Sequence, residues 1–134
     1  MKKKKLIEVK NLIKKYSSLT AVNNISFDVY EGEIFGLLGP NGAGKTTTLE
    51  IIETLKEATD GTILVGGLDV NKNARQIKSM IGVQLQNSGF HSELKLKEIL
   101  ELFGSLYGTK VDTEKILEKM HLTGKKNSKI NELF

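Results

Sequence analysis

An α/β fold is what this sequence predicts, and three observations carry that expectation. The run Ile34-Phe35-Gly36-Leu37-Leu38 is apolar throughout, as a strand buried on both faces of a parallel sheet would be. It leads directly into Gly39-Pro40-Asn41-Gly42-Ala43-Gly44-Lys45-Thr46, which satisfies G-x-x-x-x-G-K-[ST] at every fixed position. Beyond Lys45 the segment Thr46 to Leu55 suits a helix, with Ile51 and Leu55 four apart and Leu49 and Ile52 beside them. A strand that ends in glycines and reopens as a helix can turn successive backbone N–H groups inward on an anion. The helix adds the positive end of its dipole.

The elements before the loop read as antiparallel strands. Residues 1–5 form a basic tail, Lys2 to Lys5, expected to be solvated. In residues 6–16, Ile7 and Val9 alternate with Glu8 and Lys10, a half-buried strand pattern. Ser17-Ser18 breaks it. Ile25, Phe27 and Val29 then occupy one face of a second strand and Ser26, Asp28 and Tyr30 the other. One wet face suggests antiparallel pairing. Glu31-Gly32-Glu33 reads as a turn.

After the loop helix, Asp60-Gly61 reads as a turn and Thr62 to Val65 as a short strand that Gly66-Gly67 ends. Asn73 to Met80 suits a short polar helix, and Ile81 to Leu85 a further strand. The pattern beyond residue 90 is helical: Leu96, Ile99, Leu100, Phe103, Leu106 and Tyr107 recur at helical spacing. A last helix opens with Asp112 as N-cap and turns Ile116, Leu117 and Met120 inward. Residues 123–131 are polar and loop-like. The organisation expected is one domain over 1–134, with a core part at 6–90 and the start of a helical subdomain at 91–134.

Composition narrows the class. With 134 residues, 39% hydrophobic and 27% charged, the chain can build one real core. Cysteine is absent, so disulfides and thiolate metal sites are excluded. The net charge of +4 rests partly on the lysine tail, and no nucleic-acid partner is expected. No apolar h-region follows those lysines, and no apolar run approaches the roughly 18 residues a membrane span needs. A cytoplasmic location is the expectation. His91 and His121 lack partners at metal-ligand spacing and read as ordinary residues.

The glycine loop is the signature of a nucleotide phosphate site. Lys45 would reach the β- and γ-phosphates of the nucleotide, and Thr46 would offer its hydroxyl to Mg²⁺. A guanine reader N-K-x-D is lacking, since Asn71-Lys72-Asn73-Ala74 has no aspartate at its end. Two strands precede the loop, whereas small-molecule kinases tend to place theirs at the extreme N-terminus. Together with Lys14-Lys15-Tyr16, Ala21-Val22-Asn23-Asn24-Ile25-Ser26-Phe27, Gly32-Glu33-Ile34 and Ile81-Gly82-Val83-Gln84-Leu85-Gln86, the loop resembles an ABC transporter ATP-binding subunit. The resemblance spans essentially the whole chain, in order, and is closest to the branch that serves ABC-2 type export permeases, multidrug exporters among them.

That resemblance implies a fold, a P-loop NTPase of ABC type: N-terminal antiparallel strands, a partial parallel sheet with helices, then the start of a helical subdomain. It also implies roles. ATP and Mg²⁺ are the expected cofactors. Tyr16 matches the aromatic that stacks on adenine. Gly39, Asn41, Gly42, Ala43, Gly44, Lys45 and Thr46 would wrap the phosphates, and Thr47 would bond the α-phosphate. Thr46 and Gln86 would serve Mg²⁺, with Gln86 also reaching the attacking water and, like Lys45, taking part in catalysis. A membrane permease and a second ATP-binding subunit are the implied partners, at the inner face of the cell membrane.

The sequence departs from the family pattern where hydrolysis is concerned. It has no adjacent Asp-Glu pair at the end of an apolar strand, no Leu-Ser-Gly-Gly-Gln signature, and no switch histidine. Lys129 to Leu133 resembles the approach to that signature, with Phe134 where its serine would stand. The expectation is a little over the first half of such a subunit, able to bind ATP and unable alone to hydrolyse it. The alternatives are a non-hydrolysing or inactive fragment and, less in keeping with its length, a soluble ABC-type ATPase without a transporter. Lys95 stands where the family has Thr or Ser at a helix start, so a side-chain cap should be lost there.

Overall fold

A computed structural model describes residues 3–84 and 93–133. The chain divides into two compact units, Met1–Val83 and Gln84–Phe134.

The first unit is organised by a long hairpin of β1 (Lys5–Tyr16) and β2 (Leu19–Tyr30). Val9 lies opposite Phe27, Leu12 opposite Ile25 and Tyr16 opposite Leu19. Strict alternation from Val9 would turn Asn11 inward. A bulge prevents it: Asn11 and Asn24 both adopt φ 51°, and the Asn11 side-chain amide donates to the Asn24 side-chain oxygen Oδ1 at 3.0 Å. The extra residue shifts the inward face, so Val9 and Leu12 are both buried. On the other side of β1 runs β3 (Asp60–Val65), with Val9 opposite Ile63, and a tight turn at Gly66-Gly67 returns the chain as β4 (Leu68–Asp69). The sheet order is β2-β1-β3-β4.

One face of this sheet is covered by two helices. Ile51 and Ile52 of α1 (Lys45–Ile52) and Ile77 of α2 (Ala74–Lys78) join Val9, Leu12, Val22, Ile63, Val65 and Val70 in the core. Each such fully buried aliphatic side chain stabilises the unit by about 1.5–3 kcal/mol.

Several expectations are corrected. Strand β2 opens at Leu19, well before Ile25, because the hairpin turn is tight and the Asn24 bulge absorbs the break in alternation. Asp60-Gly61 is the start of β3 and not a turn: Asp60 lies opposite Ile13. Gly61 sits at φ +93°, and a Cβ there would lie 2.5 Å from the Asn11 carbonyl oxygen. Helix α1 stops at Ile52 rather than Leu55, since Thr54 turns to φ 61° and the Leu55 and Lys56 amides both return to the Glu50 carbonyl.

The largest correction concerns the two parallel strands. Residues 34–38 form no strand, and Ile34 and Leu38 are exposed at 101% and 92%. Of that run only Phe35 makes a ring contact, stacking on Phe27 with centroids 5.0 Å apart. Residues 81–84 likewise form no strand, and Leu85 lies outside the described residues. The reason is physical: a strand exists through its neighbour's hydrogen bonds, and none of the described strands lies beside either run. The described sheet is antiparallel throughout.

The second unit holds α3 (Leu96–Leu106) and α4 (Thr113–Lys119). Asp112 caps α4 as expected, its carboxylate accepting from the Lys115 amide at 3.2 Å. At α3 the missing cap at Lys95 is offset from the other direction: the Glu98 carboxylate accepts from the Lys95 amide at 2.9 Å. Ile99 and Leu117 are buried. Met120, expected inward, is 63% exposed, and Phe103, Leu106 and Tyr107 are also largely exposed. Residues 123–131 are more regular than a loop, with 3₁₀ turns at Thr123–Lys125 and Ile130–Glu132.

Candidate functional site

The glycine loop is positioned from beneath by β2 and from behind by α1. Gly44 takes φ +82° and serves as the N-cap of α1 without any side-chain cap. A Cβ at Gly44 would lie 2.2 Å from the Ala21 carbonyl oxygen and 3.1 Å from a Val22 methyl, so only glycine lets the loop lie this close to β2. Gly42, at φ +83°, turns the loop before it. Thr48, one turn into α1, is buried, and its hydroxyl donates to the Gly44 carbonyl at 2.9 Å. That bond and the Thr48 amide to the same carbonyl, at 2.8 Å, lock loop to helix.

The functional side chains then fall into place. Lys45 folds back over the loop, and its ammonium donates to the Gly39 and Pro40 carbonyls, each at 2.7 Å. Those are neutral acceptors, and a phosphate oxygen would form a stronger, charge-assisted bond with the same ammonium. Gly39, Asn41, Gly42, Ala43 and Thr46 are exposed, and Thr47 is partly so. The early α1 amides have no side-chain cap, the arrangement in which a helix start accepts an anion. The residues present therefore fit a phosphate chain, with a loop that lies against β2 only because residue 44 is glycine and a cation folded over it.

Tyr16 ends β1 and is 39% exposed. Its register partner Leu19 is two residues before Ala21, the residue that backs Gly44, which sets the ring's strand end roughly 7 Å along β2 from the cradle. Two ammonium groups attend the ring, Lys14 at 5.0 Å and Lys56 at 5.7 Å from its centroid. The Glu50 carboxylate, bonded to Lys56 at 2.7 Å, holds the Lys56 ammonium above its ordinary range, with the Tyr16 hydroxyl adding to the effect. Gln86 lies outside the described residues.

Sequence reasoning missed four contributors here. Ala21 and Thr48 act through backbone proximity and burial, which no motif announces. Lys14 stands two residues before Tyr16 on β1, whereas Lys56 is separated from it in sequence by β2, the loop and α1. The only signal for Lys56 was Glu50 six residues earlier, a spacing that regular helix would not bring together.

Comparison with known proteins shows the family and the fold. A sequence-family model described as ABC transporter matches residues 22–133. The bacitracin transport ATP-binding protein of Enterococcus faecalis is 40% identical over 119 residues, 87% of this chain and 39% of that protein. The linearmycin resistance ATP-binding protein of Bacillus subtilis is 37% identical over 130 residues, 93% of this chain and 42% of that protein. The chain thus spans about two-fifths of the curated relatives it matches. A solved ATP-binding subunit of an ABC transporter superposes with a TM-score of 0.78 at 28% identity, covering 92% of this chain and 54% of its own. An ATP-binding cassette in its ADP conformation gives 0.81 over 98% of this chain and 59% of its own, and at 22% identity speaks to the fold.

Proposed function

The chain belongs to the ABC transporter family of ATP-binding proteins, and on that premise we propose that it supplies the ATP-gripping part of an ATPase subunit that energises export through a membrane permease. The observation that carries this reading is the Gly44 cradle with Lys45 folded into it. Gly39, Asn41, Gly42, Ala43 and Gly44 wrap the phosphates through backbone N–H groups. Lys45 exchanges its two carbonyl acceptors for β- and γ-phosphate oxygens. Thr47 bonds the α-phosphate, and Tyr16 stacks on adenine. By the family resemblance Thr46 and Gln86 would hold Mg²⁺, which when bound would neutralise charge on the phosphate oxygens.

The export assignment is supported by the relatives, whose names concern bacitracin transport and linearmycin resistance. A second ATP-binding subunit and a permease are the partners, with the chain docked at the cytoplasmic face of the membrane. Among the described residues no helix is long and apolar enough to cross a membrane. Within the 134 residues no adjacent Asp-Glu pair is present to activate water. This chain by itself therefore binds ATP without turning it over.

The test is a titration of the chain with a fluorescent ATP analogue in the presence of Mg²⁺, beside an assay of phosphate release. Binding without release is expected, and Lys45→Ala should weaken binding about tenfold or more, the scale of a charged hydrogen bond left unmade. A folded wild-type chain with no affinity, or one indifferent to Lys45→Ala, would sink the reading.

A further inference from the structure

The phosphate end of the candidate site is rigidly built, whereas Tyr16 stands at a hairpin tip, next to Ser17 at φ 49°. A residue in that position needs something to hold its ring. The structure shows what does. Lys14 reaches across to the Glu57 carbonyl, bonded at 2.7 Å, and passes within 5.0 Å of the ring centroid on the way. Lys56 stands 5.7 Å from the same centroid with its ammonium bonded to the Glu50 carboxylate at 2.7 Å. Both distances are within the range where a cation is attracted to an aromatic ring. Residues 57–59 are meanwhile stitched to β1, the Thr59 amide donating to Ile13 and the Lys15 amide to the Thr59 hydroxyl, each at 2.9 Å.

Glu50 organises this arrangement twice. Its backbone carbonyl accepts from the Leu55 and Lys56 amides, bending the chain back at the end of α1, and its carboxylate then takes the Lys56 ammonium. Without that carboxylate, two ammonium groups beside one ring would repel each other. Glu50 also sits on the helix that opens with Lys45. One short helix therefore carries the phosphate-binding lysine at its start and the anchor of the Tyr16 ring near its end.

We propose that Lys56, anchored on Glu50, is a positioning residue that holds the Tyr16 ring in a fixed relation to α1, and so sets the base-dependent part of nucleotide affinity. The proposal rests on the reading of Tyr16 as the base platform. Lys56 is not a phosphate ligand and touches no reacting atom. An exposed ion pair of this kind contributes little to stability. Its effect should therefore appear in base discrimination and not in unfolding.

The experiment compares affinity for Mg·ATP with affinity for Mg·tripolyphosphate, a probe that has the phosphates and no base. The ratio isolates what base and ribose together contribute, the Tyr16 variant then gives the share due to the base, and neither depends on the fraction of chain that is active. Tyr16→Ala should collapse the ratio by about tenfold, the scale of one base stacked on an aromatic side chain. Lys56→Met and Glu50→Gln should each lower it by about threefold, the scale of an exposed cation–π contact. Tripolyphosphate affinity and thermal midpoint should stay as in wild type, and Lys56→Arg should restore most of the ratio. If Tyr16→Ala collapses the ratio while Lys56→Met and Glu50→Gln leave it untouched, the positioning role is wrong and the platform reading stands. If Tyr16→Ala itself leaves the ratio unchanged, or the wild type shows no preference for ATP, the platform reading falls and takes the proposal with it. A parallel loss of tripolyphosphate affinity in Lys56→Met would mean a general disturbance of the site and also overturn the proposal.

Discussion

The apolar positions of strand β1 and those of the run Ile34 to Leu38 both stand next to functional residues, yet they meet opposite fates. In β1, Val9 and Leu12 are sealed between β2, β3 and the helices, and a bulge is spent to keep them so. In the run before the glycine loop, Ile34 and Leu38 face solvent, and the only ring contact is Phe35 on Phe27. The second apolar run is divided between the two fates, with Ile81 packed against the core and Val83 exposed. Apolar composition made both kinds of segment candidates for a core. What separates them is whether a neighbour stands beside the backbone to take its hydrogen bonds and cover its side chains.

The comparison can be broken most directly by matched truncations. Leu12→Ala and Leu38→Ala remove the same atoms. Leu12 is fully buried, so its loss should cost about 2–5 kcal/mol, the range for a large-to-small change in a core. Leu38→Ala should fall within about 0.5 kcal/mol of wild type, as surface changes do. Urea unfolding of the two variants measures both. Equal penalties would mean that residues 34–38 are covered in solution, and the contrast would vanish.

This contrast also explains what was legible in the sequence. Local patterns gave the hairpin strands, the glycine loop, the start of α1 and the Asp112 cap, since each depends on residues within one turn or one strand. The family resemblance placed Tyr16 and the loop residues in one site, and the geometry at Gly44 gives the loop a physical basis the motif alone lacks. Exposure was not legible, because Ile34 has the same side chain whether or not a strand pairs with it. The role of Asp60-Gly61 was hidden for a related reason. Those two residues look like a turn until the Asn11 bulge across the ladder is known. Glu50 and Lys56 stayed invisible because the non-helical turn at Thr54 brings them together.

A second pair of variants sharpens the same contrast at the backbone. Gly61 lies in the covered sheet at φ +93°, with room for no Cβ beside the Asn11 carbonyl, whereas a Cβ on Gly36 would meet nothing within 4 Å. Gly61→Ala should destabilise the chain by about 1–3 kcal/mol, combining overpacking with a backbone angle alanine resists. Gly36→Ala should be neutral or slightly stabilising, since it only stiffens the unfolded chain. Thermal midpoints of the two proteins decide it, and a Gly36→Ala penalty as large as that of Gly61→Ala would show the run to be tightly packed.

The mildest consequence concerns association. An apolar run with unpaired backbone groups is a template for another copy of itself, because two such edges can share hydrogen bonds and apolar cover. Ile34 and Leu38 are the exposed ends of that template, and replacing both by lysine places charge where a neighbouring strand would have to pack. Ile34→Lys together with Leu38→Lys should leave the unfolding midpoint unchanged and lower light scattering in concentrated solution. The antiparallel sheet supplies the control: Thr20→Lys together with Asn23→Lys, on exposed positions of β2, adds the same charge without touching the run and should leave scattering nearly as it was. If that pair suppresses association as well as the first does, net charge is responsible. The uncovered run is then not what brings copies of this chain together.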